Sequence, residues 1–190
     1  MLNAGQRGMS LIELMIGIAI VSILLMAGIP GFNLWIQNSQ NRAAAESILN
    51  GIQLARTEAV IRNTQVRFEF TDDSGLVAWN VGCVAVTVDC PATIQRRTSN
   101  EGAANARVGV STASNPLPAT TPITSGTGVD GTISFNGLGR VAGTTDITRI
   151  DVTNAGSSNA RRYVVVISPG GQIRMCDPAL SFATNPQGCS

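Results

Sequence analysis

Few side chains in this sequence are able to do chemistry. All 13 basic residues are arginine, so histidine and lysine are both missing from the 190 residues. Histidine is the commonest general base and metal ligand, and its absence argues against a hydrolase or a metalloenzyme. Asp72, Asp73, Asp89 and Asp151 are scattered through turns and strands without an obvious acid–base partner. We therefore predict no enzyme, no metal site and no cofactor.

The cysteines form two pairs that are close in sequence, Cys83 with Cys90 and Cys176 with Cys189. Neither spacing matches a zinc pattern. An even number of cysteines in an exported domain indicates two disulfides in an oxidising compartment. Local pairing is the simplest of the three possible connectivities, and it is the one that we expect.

Arginine is the residue type best suited to bind a ligand, because its planar fork bonds phosphate bidentately. Arg161, Arg162 and Arg174 lie on what the pattern predicts to be adjacent strands, so their guanidinium groups could face one surface. These three residues are candidates for DNA binding. The alternative is that they are solvated arginines on an edge strand, where charge discourages pairing between sheets.

Glu13 stands at the start of a long apolar run, and no charged residue lies between Glu13 and Arg42. The run from Leu14 to Ile29, continued to Ile36, reaches the roughly 20 residues that cross a bilayer. Arg7 precedes it, so we expect a cytoplasmic N-terminus and an exported remainder. A cleavable secretory signal is the alternative, but Glu13 falls inside the region that such a signal keeps apolar.

A carboxylate at the centre of a bilayer costs about 2.5–3.5 kcal/mol, so Glu13 needs a partner. Cleavage after Gly8 would create a free α-amino group at Met9. About 6 Å of helical rise separates Met9 from Glu13. The sequence therefore predicts an ion pair between this amine and Glu13, within one chain or between stacked chains.

The remaining pattern predicts one long helix followed by a β-rich domain. Pro30 is expected to bend the helix. A second helical stretch carries an apolar stripe of Ile48, Ile52, Ala55 and Ala59 and ends near Arg62–Asn63. Residues 111–131 are rich in Thr, Ser, Pro and Gly and predict a long exposed loop. Predicted strands are 66–70, 76–79, 83–88, 106–110, 132–135, 147–152, 162–168 and 172–176.

These features predict an α+β protein in which a long N-terminal helix packs on a mostly antiparallel sheet. Four segments follow: a leader at 1–8, a transmembrane helix at 9–36, an amphipathic continuation at 37–63 and a β-rich globular domain at 64–190.

The N-terminus resembles the type IV pilins and the type II secretion pseudopilins. It has a short leader ending in Gly8, a hydrophobic Met9, and "SLIEL" with Glu13 as the fifth residue after the cut. The resemblance implies the pilin fold. It also implies cleavage between Gly8 and Met9 by a prepilin peptidase, N-methylation of Met9, and a role for Glu13 in setting the register of each subunit against its neighbour.

The globular part resembles the FimU, FimT and GspH group of minor pilins and pseudopilins. The matching stretches are "LARTEAVIRN" (54–63), "ISFNGLGR" (133–140), "VVVISPGGQIRMC" (164–176) and the tail that begins "CDP". In DNA-uptake pilins of the FimT type, a Gly-Arg-x-Arg motif in this hairpin binds DNA. Here Gln172 stands where that motif has its first arginine, so only Arg174 carries over.

The function that this resemblance implies is a minor type IV pilin at or near the pilus tip that helps to start assembly. A DNA-binding minor pilin for transformation and a GspH-like pseudopilin of type II secretion are the alternatives. The implied partners are other minor pilins, the major pilin, the prepilin peptidase, the inner-membrane assembly platform and inner-membrane lipid, with DNA as a candidate. The implied location is the inner membrane, crossed once with the globular domain in the periplasm, and then the pilus or pseudopilus.

Overall fold

The structure is a computed structural model that describes residues 9–113, 118–143 and 146–189. The chain divides into two compact units, Met1–Ile36 and Gln37–Ser190. The expected leader with Gly8, and residues 114–117 of the expected loop, lie outside the described residues. The first described element is a helix, α1 (Leu11–Arg62), whose residues belong to the first unit up to Ile36 and to the second from Gln37.

Among the residues that the structure describes, no single helical stretch is long and apolar enough to cross a membrane. Leu11–Met26 and Gly31–Arg62 meet the criteria of length and composition only together, as a bent pair. The break between the two segments contains Pro30, where the sequence predicts a bend.

In the second unit, α1 packs one face against the sheets. The predicted stripe of Ile48, Ile52, Ala55 and Ala59 is completely buried, which confirms the helical periodicity. Gly51 lies on the same side. A Cβ atom at Gly51 would be 2.9 Å from Cε2 of Phe68 and 3.2 Å from the ring of Trp79. A glycine is therefore required for the sheet to approach the helix this closely.

The helix ends where the sequence predicts. The amide of Thr64 donates to the carbonyl of Ala59 at 3.2 Å, and Asn63 adopts a left-handed conformation with φ 47°. This is a common helix C-terminus, in which asparagine tolerates positive φ better than most residues.

Eight strands form two antiparallel sheets. The first sheet has the order β3-β2-β1-β5, and the second has the order β4-β6-β7-β8. The strands are β1 (Val66–Phe70), β2 (Trp79–Cys83), β3 (Gln95–Arg97), β4 (Ala106–Ser111), β5 (Thr132–Phe135), β6 (Arg149–Asn154), β7 (Tyr163–Ile167) and β8 (Ile173–Cys176). The α+β fold with a long helix on antiparallel sheets is as predicted.

One predicted strand, 83–88, is wrong. Strand β2 ends at Cys83, and residues 84–89 form an exposed loop. The Cys83–Cys90 disulfide closes this loop, and the amide of Cys83 donates to the carbonyl of Pro91 at 3.0 Å. The chain therefore reverses direction here and comes back to form β3, which pairs with β2.

Strand limits elsewhere differ by a few residues. The partner of β1 is Trp79–Cys83 rather than 76–79, with Phe70 opposite Trp79. The hairpin of β7 and β8 forms as predicted around the "PGG" turn, with Val166 opposite Arg174. Gly171 in this turn has φ +82°, and a Cβ there would overlap the carbonyl oxygen of Gly139. The two predicted turns, 136–140 and 169–171, thus lie against each other.

Candidate functional site

Glu13, the predicted assembly residue, lies at the N-terminus of α1, and Met9, a predicted processing residue, precedes the helix. The carbonyl of Ser10 accepts hydrogen bonds from the amides of Glu13 at 3.1 Å and Leu14 at 3.2 Å, which starts the helix. Glu13 lies in the first helical turn and is exposed, as is Met9. The positive end of the helix dipole favours a carboxylate at this position.

The segment of α1 that follows Glu13 is apolar on all of its faces. In residues 9–26 the large hydrophobic side chains are at least half exposed, and they are Met9, Leu11, Ile12, Leu14, Met15, Ile16, Ile18, Ile20, Val21, Ile23, Leu24, Leu25 and Met26. Ser22 donates its hydroxyl to the carbonyl of Ile18 at 2.8 Å, so this polar side chain is satisfied within the helix. A helix with such a surface needs either lipid or other helices around it.

The three candidate arginines are held by different partners. Arg161 extends Nε to within 3.5 Å of Oδ2 of Asp177, and 57% of its side chain is exposed. The backbone of Arg161 is fixed by α1. Its amide donates to Oδ1 of Asn38 at 2.7 Å, and its carbonyl accepts from Nδ2 of the buried Asn41 at 2.9 Å.

Arg162, its neighbour, is largely buried. Its guanidinium contacts Oδ2 of Asp151 and donates to the carbonyls of Ala119 at 2.6 Å and Thr120 at 3.2 Å. Only 16% of the side chain is exposed. The guanidinium is therefore already hydrogen-bonded within the protein and does not present a fork to a ligand.

Arg174 in β8 belongs to the C-terminal disulfide loop. Its Nη2 donates to the carbonyl of Cys189 at 3.0 Å, and its guanidinium lies 4.9 Å from the centre of the Phe182 ring. Cation–π stacking and the hydrogen bond hold the side chain over the loop that the Cys176–Cys189 disulfide closes.

The three arginines are not presented together to solvent, because Arg162 is largely buried and Arg161 and Arg174 have separate partners. By strand register, Arg174 lies opposite Val166, which lies opposite Arg149, so Arg174 and Arg149 share a face of the second sheet. Arg162 reaches Asp151 on that face, whereas Arg161 turns to Asp177. Both Arg161 and Arg162 also precede β7, which starts at Tyr163.

A buried charged cluster at β6 is the main feature that sequence reasoning missed. Arg149 Nε lies 2.8 Å from Oδ1 of Asp151, and both side chains are buried. Alternate residues of a strand point to opposite faces. Ile150 and Val152 accordingly join the hydrophobic core, while Arg149 and Asp151 point to the other face.

The loop that follows β4 covers this polar face. Arg149 donates to the carbonyls of Pro118 at 3.0 Å and Thr121 at 2.6 Å, and Asp151 accepts from the amide of Ile123 at 3.0 Å. Further along, the amide of Gly126 donates to the carbonyl of Val108 at 2.8 Å, which pairs the loop with the edge of β4. The described part of the 111–131 loop is therefore fixed to the domain. A sequence signal exists in retrospect: two opposite charges two residues apart within an apolar strand.

Asp146 is a second buried carboxylate. It accepts hydrogen bonds from the amides of Gly143 at 2.7 Å and Ser134 at 3.2 Å. Burial raises the pKa of Asp146, and the two amide donors oppose that effect. Within the described residues, no group of three or more His, Cys, Asp or Glu side chains is placed to hold a metal ion.

Both cysteine pairs form disulfides as expected, Cys83 with Cys90 and Cys176 with Cys189. Each closes a loop at the surface. The first loop begins where β2 ends, and the second starts at the end of β8.

The long apolar helix, the β-domain stapled by two disulfides and a match of residues 3–29 to the prokaryotic N-terminal methylation motif define a protein of the pilin and pseudopilin class. Residues 44–171 match the family described as Type II transport protein GspH. The chain belongs to this family. No curated protein matches the chain.

Two solved structures share the fold. The type IV minor pilin FimU of Pseudomonas aeruginosa strain PAO1 superposes with a TM-score of 0.54 at 16% identity, covering 82% of this chain and 99% of that one. The minor pseudopilin EpsH from the type 2 secretion system of Vibrio cholerae superposes with a TM-score of 0.50 at 13% identity, covering 74% of this chain and 99% of that one.

Proposed function

We propose that this chain is a minor type IV pilin that is incorporated at or near the pilus tip and helps to start pilus assembly. The observation that carries the proposal is Glu13 in the first turn of an exposed apolar helix, within residues that match the N-terminal methylation motif. In a plain membrane anchor, an isolated carboxylate there raises the cost of insertion, and the helix dipole offsets that cost only in part.

The chain is processed and assembled through this end. A prepilin peptidase removes residues 1–8 by cleavage between Gly8 and Met9, and the new amine of Met9 is methylated. Residues 9–36 hold the subunit in the inner membrane, with residues 37–63 as the amphipathic continuation and the β-rich domain, 64–190, in the periplasm. The assembly platform then transfers the subunit from lipid into the filament, among the major pilin and other minor pilins.

Glu13 selects the docking position of the incoming subunit. In lipid, the carboxylate lacks a cationic partner on neighbouring helices and is costly to bury. The positive amine of Met9 on a neighbouring subunit compensates this charge. Because the attraction offsets the cost of removing both charges from water only when the two groups are in close contact, one axial register between the two helices is preferred. The same electrostatic argument applies to a pilus and to a pseudopilus.

The second candidate is a minor pseudopilin of a type II secretion system. The family to which the chain belongs carries the description Type II transport protein GspH, and this supports the second candidate directly. DNA binding is a weaker candidate because Arg161, Arg162 and Arg174 each contact a group of this protein.

The proposed role is tested by deleting the gene, shearing the cells and quantifying the major pilin in the sheared fraction. We expect a large loss that the wild-type gene restores. A gene with Glu13→Ala does not restore it. Glu46→Ala is the matched control, since Glu46 is a half-exposed glutamate of the same helix that pairs with Arg42 at 2.8 Å.

Normal piliation in the deletion strain would overturn the role in starting assembly. Assay of secreted proteins in the same strain then tests the pseudopilin candidate. Rescue by Glu13→Ala as complete as by Glu46→Ala would contradict the function proposed for Glu13.

A further inference from the structure

Exposed apolar residues of the second unit are concentrated at one end. Among its described residues, seven large hydrophobic side chains are exposed, and six of them lie around the C-terminus of α1: Val60, Ile61, Val84, Val86, Val88 and Leu138. We call these six residues the apolar end. Val88 is fully exposed, and Leu138 is 80% exposed. Such a cluster on a soluble domain marks an interaction surface.

Specific contacts bring the three parts of the apolar end together. The amide of Val84 donates to the carbonyl of Gln65 at 3.0 Å, and Arg62 donates to the carbonyl of Asp89. These bonds attach the loop 84–89 to the end of the helix. In the 136–140 turn, a Cβ at Gly139 would lie 3.2 Å from Cγ2 of Val60, which places Leu138 next to the helix.

The loop 84–89 is held in place before any partner arrives. The Cys83–Cys90 disulfide closes it, and Thr87 and Cys90 exchange backbone hydrogen bonds at 2.9 and 3.2 Å. Its alternating valines would suit a buried strand, yet the structure keeps them in solvent. A preorganised apolar loop loses little conformational entropy when it binds, so it favours association.

Charge around the apolar end is mixed in sign, since Arg140 is exposed in the turn of Leu138 and Asp89 is exposed in the loop. Arg62 Nε lies 2.7 Å from Oε2 of Glu58, so these two charges neutralise each other. Arg56 donates to the carbonyl of Gly139 at 3.0 Å. Nucleic acids and anionic membranes are recognised by clustered cations, whereas a neutral apolar surface suits another protein.

Size and position indicate what kind of protein that is. Six exposed apolar side chains are few beside the about 20–30 residues that each partner contributes to a stable free complex. Helical residues from Gln37 to Arg62 span about 39 Å, so the apolar end is remote from the point where residues 9–36 join this unit. The contact is thus too small to act alone and suits subunits that another segment already holds together.

We propose that the apolar end binds the β-domain of a different pilin-class subunit in the same filament. This inference rests on the proposed function, because residues 9–36 must first tether both subunits in one assembly. The loop 84–89 inserts its valines into an apolar surface of that subunit, and Leu138 and Val60 extend the contact.

Photocrosslinking of filaments that contain the full chain tests the proposal. A benzophenone amino acid replaces Val86 in one strain. In a control strain it replaces Thr184, which is exposed in the other disulfide loop. The sheared filament fraction is irradiated, and the adduct is identified by mass spectrometry. We expect an adduct at Val86 with a different subunit whose N-terminus is methylated, and a yield at least about tenfold higher than at Thr184.

A second pair of variants checks the contact without the probe. Val86→Asp with Val88→Asp leaves the core intact because both side chains are exposed, and Thr184→Asp is the control. Both variants carry the benzophenone amino acid at Leu138. We expect the adduct yield to fall about tenfold in the double variant and to stay unchanged in the control.

The outcomes separate the two proposals. If the processed chain is present in the filament fraction but yields no adduct at Val86, the proposal that the apolar end binds another subunit is overturned. The proposed function then stands. An adduct with lipid or with a second copy of this chain also overturns it. If the chain is unprocessed or missing from filaments, the proposed function fails instead.

Discussion

Nη2 of Arg149 lies 2.9 Å from Oδ2 of Asp151, and the two side chains are among the most deeply buried in the domain, at 1% and 0% exposure. Arg162 adds a second guanidinium to the same carboxylate. This cluster fixes the described part of the long loop after β4, which the sequence alone indicates only as exposed. Fixing this loop protects the edge of β4 from pairing with another chain.

Replacing Arg162 is expected to destabilise the domain far more than replacing its neighbour Arg161. Arg162→Ala removes a largely buried partner of Asp151 and should lower the free energy of unfolding by about 3 kcal/mol. Arg161→Ala breaks a pair that is 57% exposed on the arginine side and should cost about 0–1 kcal/mol. Thermal unfolding of the full chain in detergent measures both. A loss for Arg162→Ala as small as the one expected for Arg161→Ala would show that Arg162 does not stabilise the fold.

Proteolysis provides a separate test of what this cluster holds. In Arg162→Ala we expect cleavage within 118–131 to become faster than in wild type, because the loop carbonyls of Ala119 and Thr120 each lose a donor. In Arg161→Ala the cleavage rate should not change. Faster cleavage in both variants alike would contradict a specific attachment of the loop.

Both disulfides are expected to stabilise the domain, with different effects on assembly. Their sequence separations are 7 and 13 residues, for which the chain-entropy estimate is about 2.5 and 3 kcal/mol. Serine at Cys83 and Cys90 should therefore lower the melting temperature about as much as serine at Cys176 and Cys189. Only the first pair of substitutions releases the valine loop, so only it should lower the adduct yield from a probe at Leu138. Equal reduction by both pairs would argue for a general loss of folding.

Asp72 makes stability depend on pH in the acidic range. Its Oδ1 accepts hydrogen bonds from the amides of Ser74 at 3.0 Å and Leu76 at 3.1 Å. These bonds, and above all a hydrogen bond from the Ser74 hydroxyl, lower the pKa of Asp72 below its ordinary value of 3.8. A carboxyl with a lowered pKa in the folded state stabilises the protein above its unfolded pKa, and this contribution is lost as pH falls through the folded value. Wild type should thus be more stable than Asp72→Asn near neutral pH. The two should converge in acid, as pH falls through the folded pKa of Asp72. A difference that stays constant between these conditions would exclude the ionised carboxylate as its cause.

DNA binding by the candidate arginines is expected to be weak. Arg162 is held by Asp151, so at most Arg161 and Arg174 can contact phosphate. Two phosphate contacts give a slope of log K against log salt of about −1.8 or shallower. Anisotropy of a labelled duplex titrated with the full chain measures this slope. A steeper slope that Arg161→Ala and Arg174→Ala reduce would establish a larger basic surface than the structure describes.

The elements that the sequence predicts correctly are those whose pattern is decided locally. Strand β1 alternates apolar and polar residues and has the predicted limits, Val66–Phe70. The "PGG" turn is predicted from its glycines alone. The end of α1 near Arg62 is predicted from the change in periodicity of the apolar residues. The segment 83–88 alternates just as well, but the disulfide and the return of the chain to β3 remove it from the sheet.

The arginines and the β6 cluster depend on tertiary contacts instead. Nothing near Arg149 in the sequence indicates that a loop more than 25 residues earlier supplies its carbonyl partners. Arg161 and Arg162 are adjacent in sequence but pair with different carboxylates. Arg161 is exposed and contacts Asp177, whereas Arg162 is largely buried and contacts Asp151. A charged surface inferred from strand neighbours alone misses this difference.

The most direct test of the proposed function is the intact mass of this chain in sheared filaments. A chain that begins at N-methylated Met9, retains both disulfides and is found together with other pilins is the predicted result. A filament-associated chain that keeps residues 1–8, or a processed chain that is absent from filaments, would contradict the proposal that this protein is an assembled pilin-class subunit.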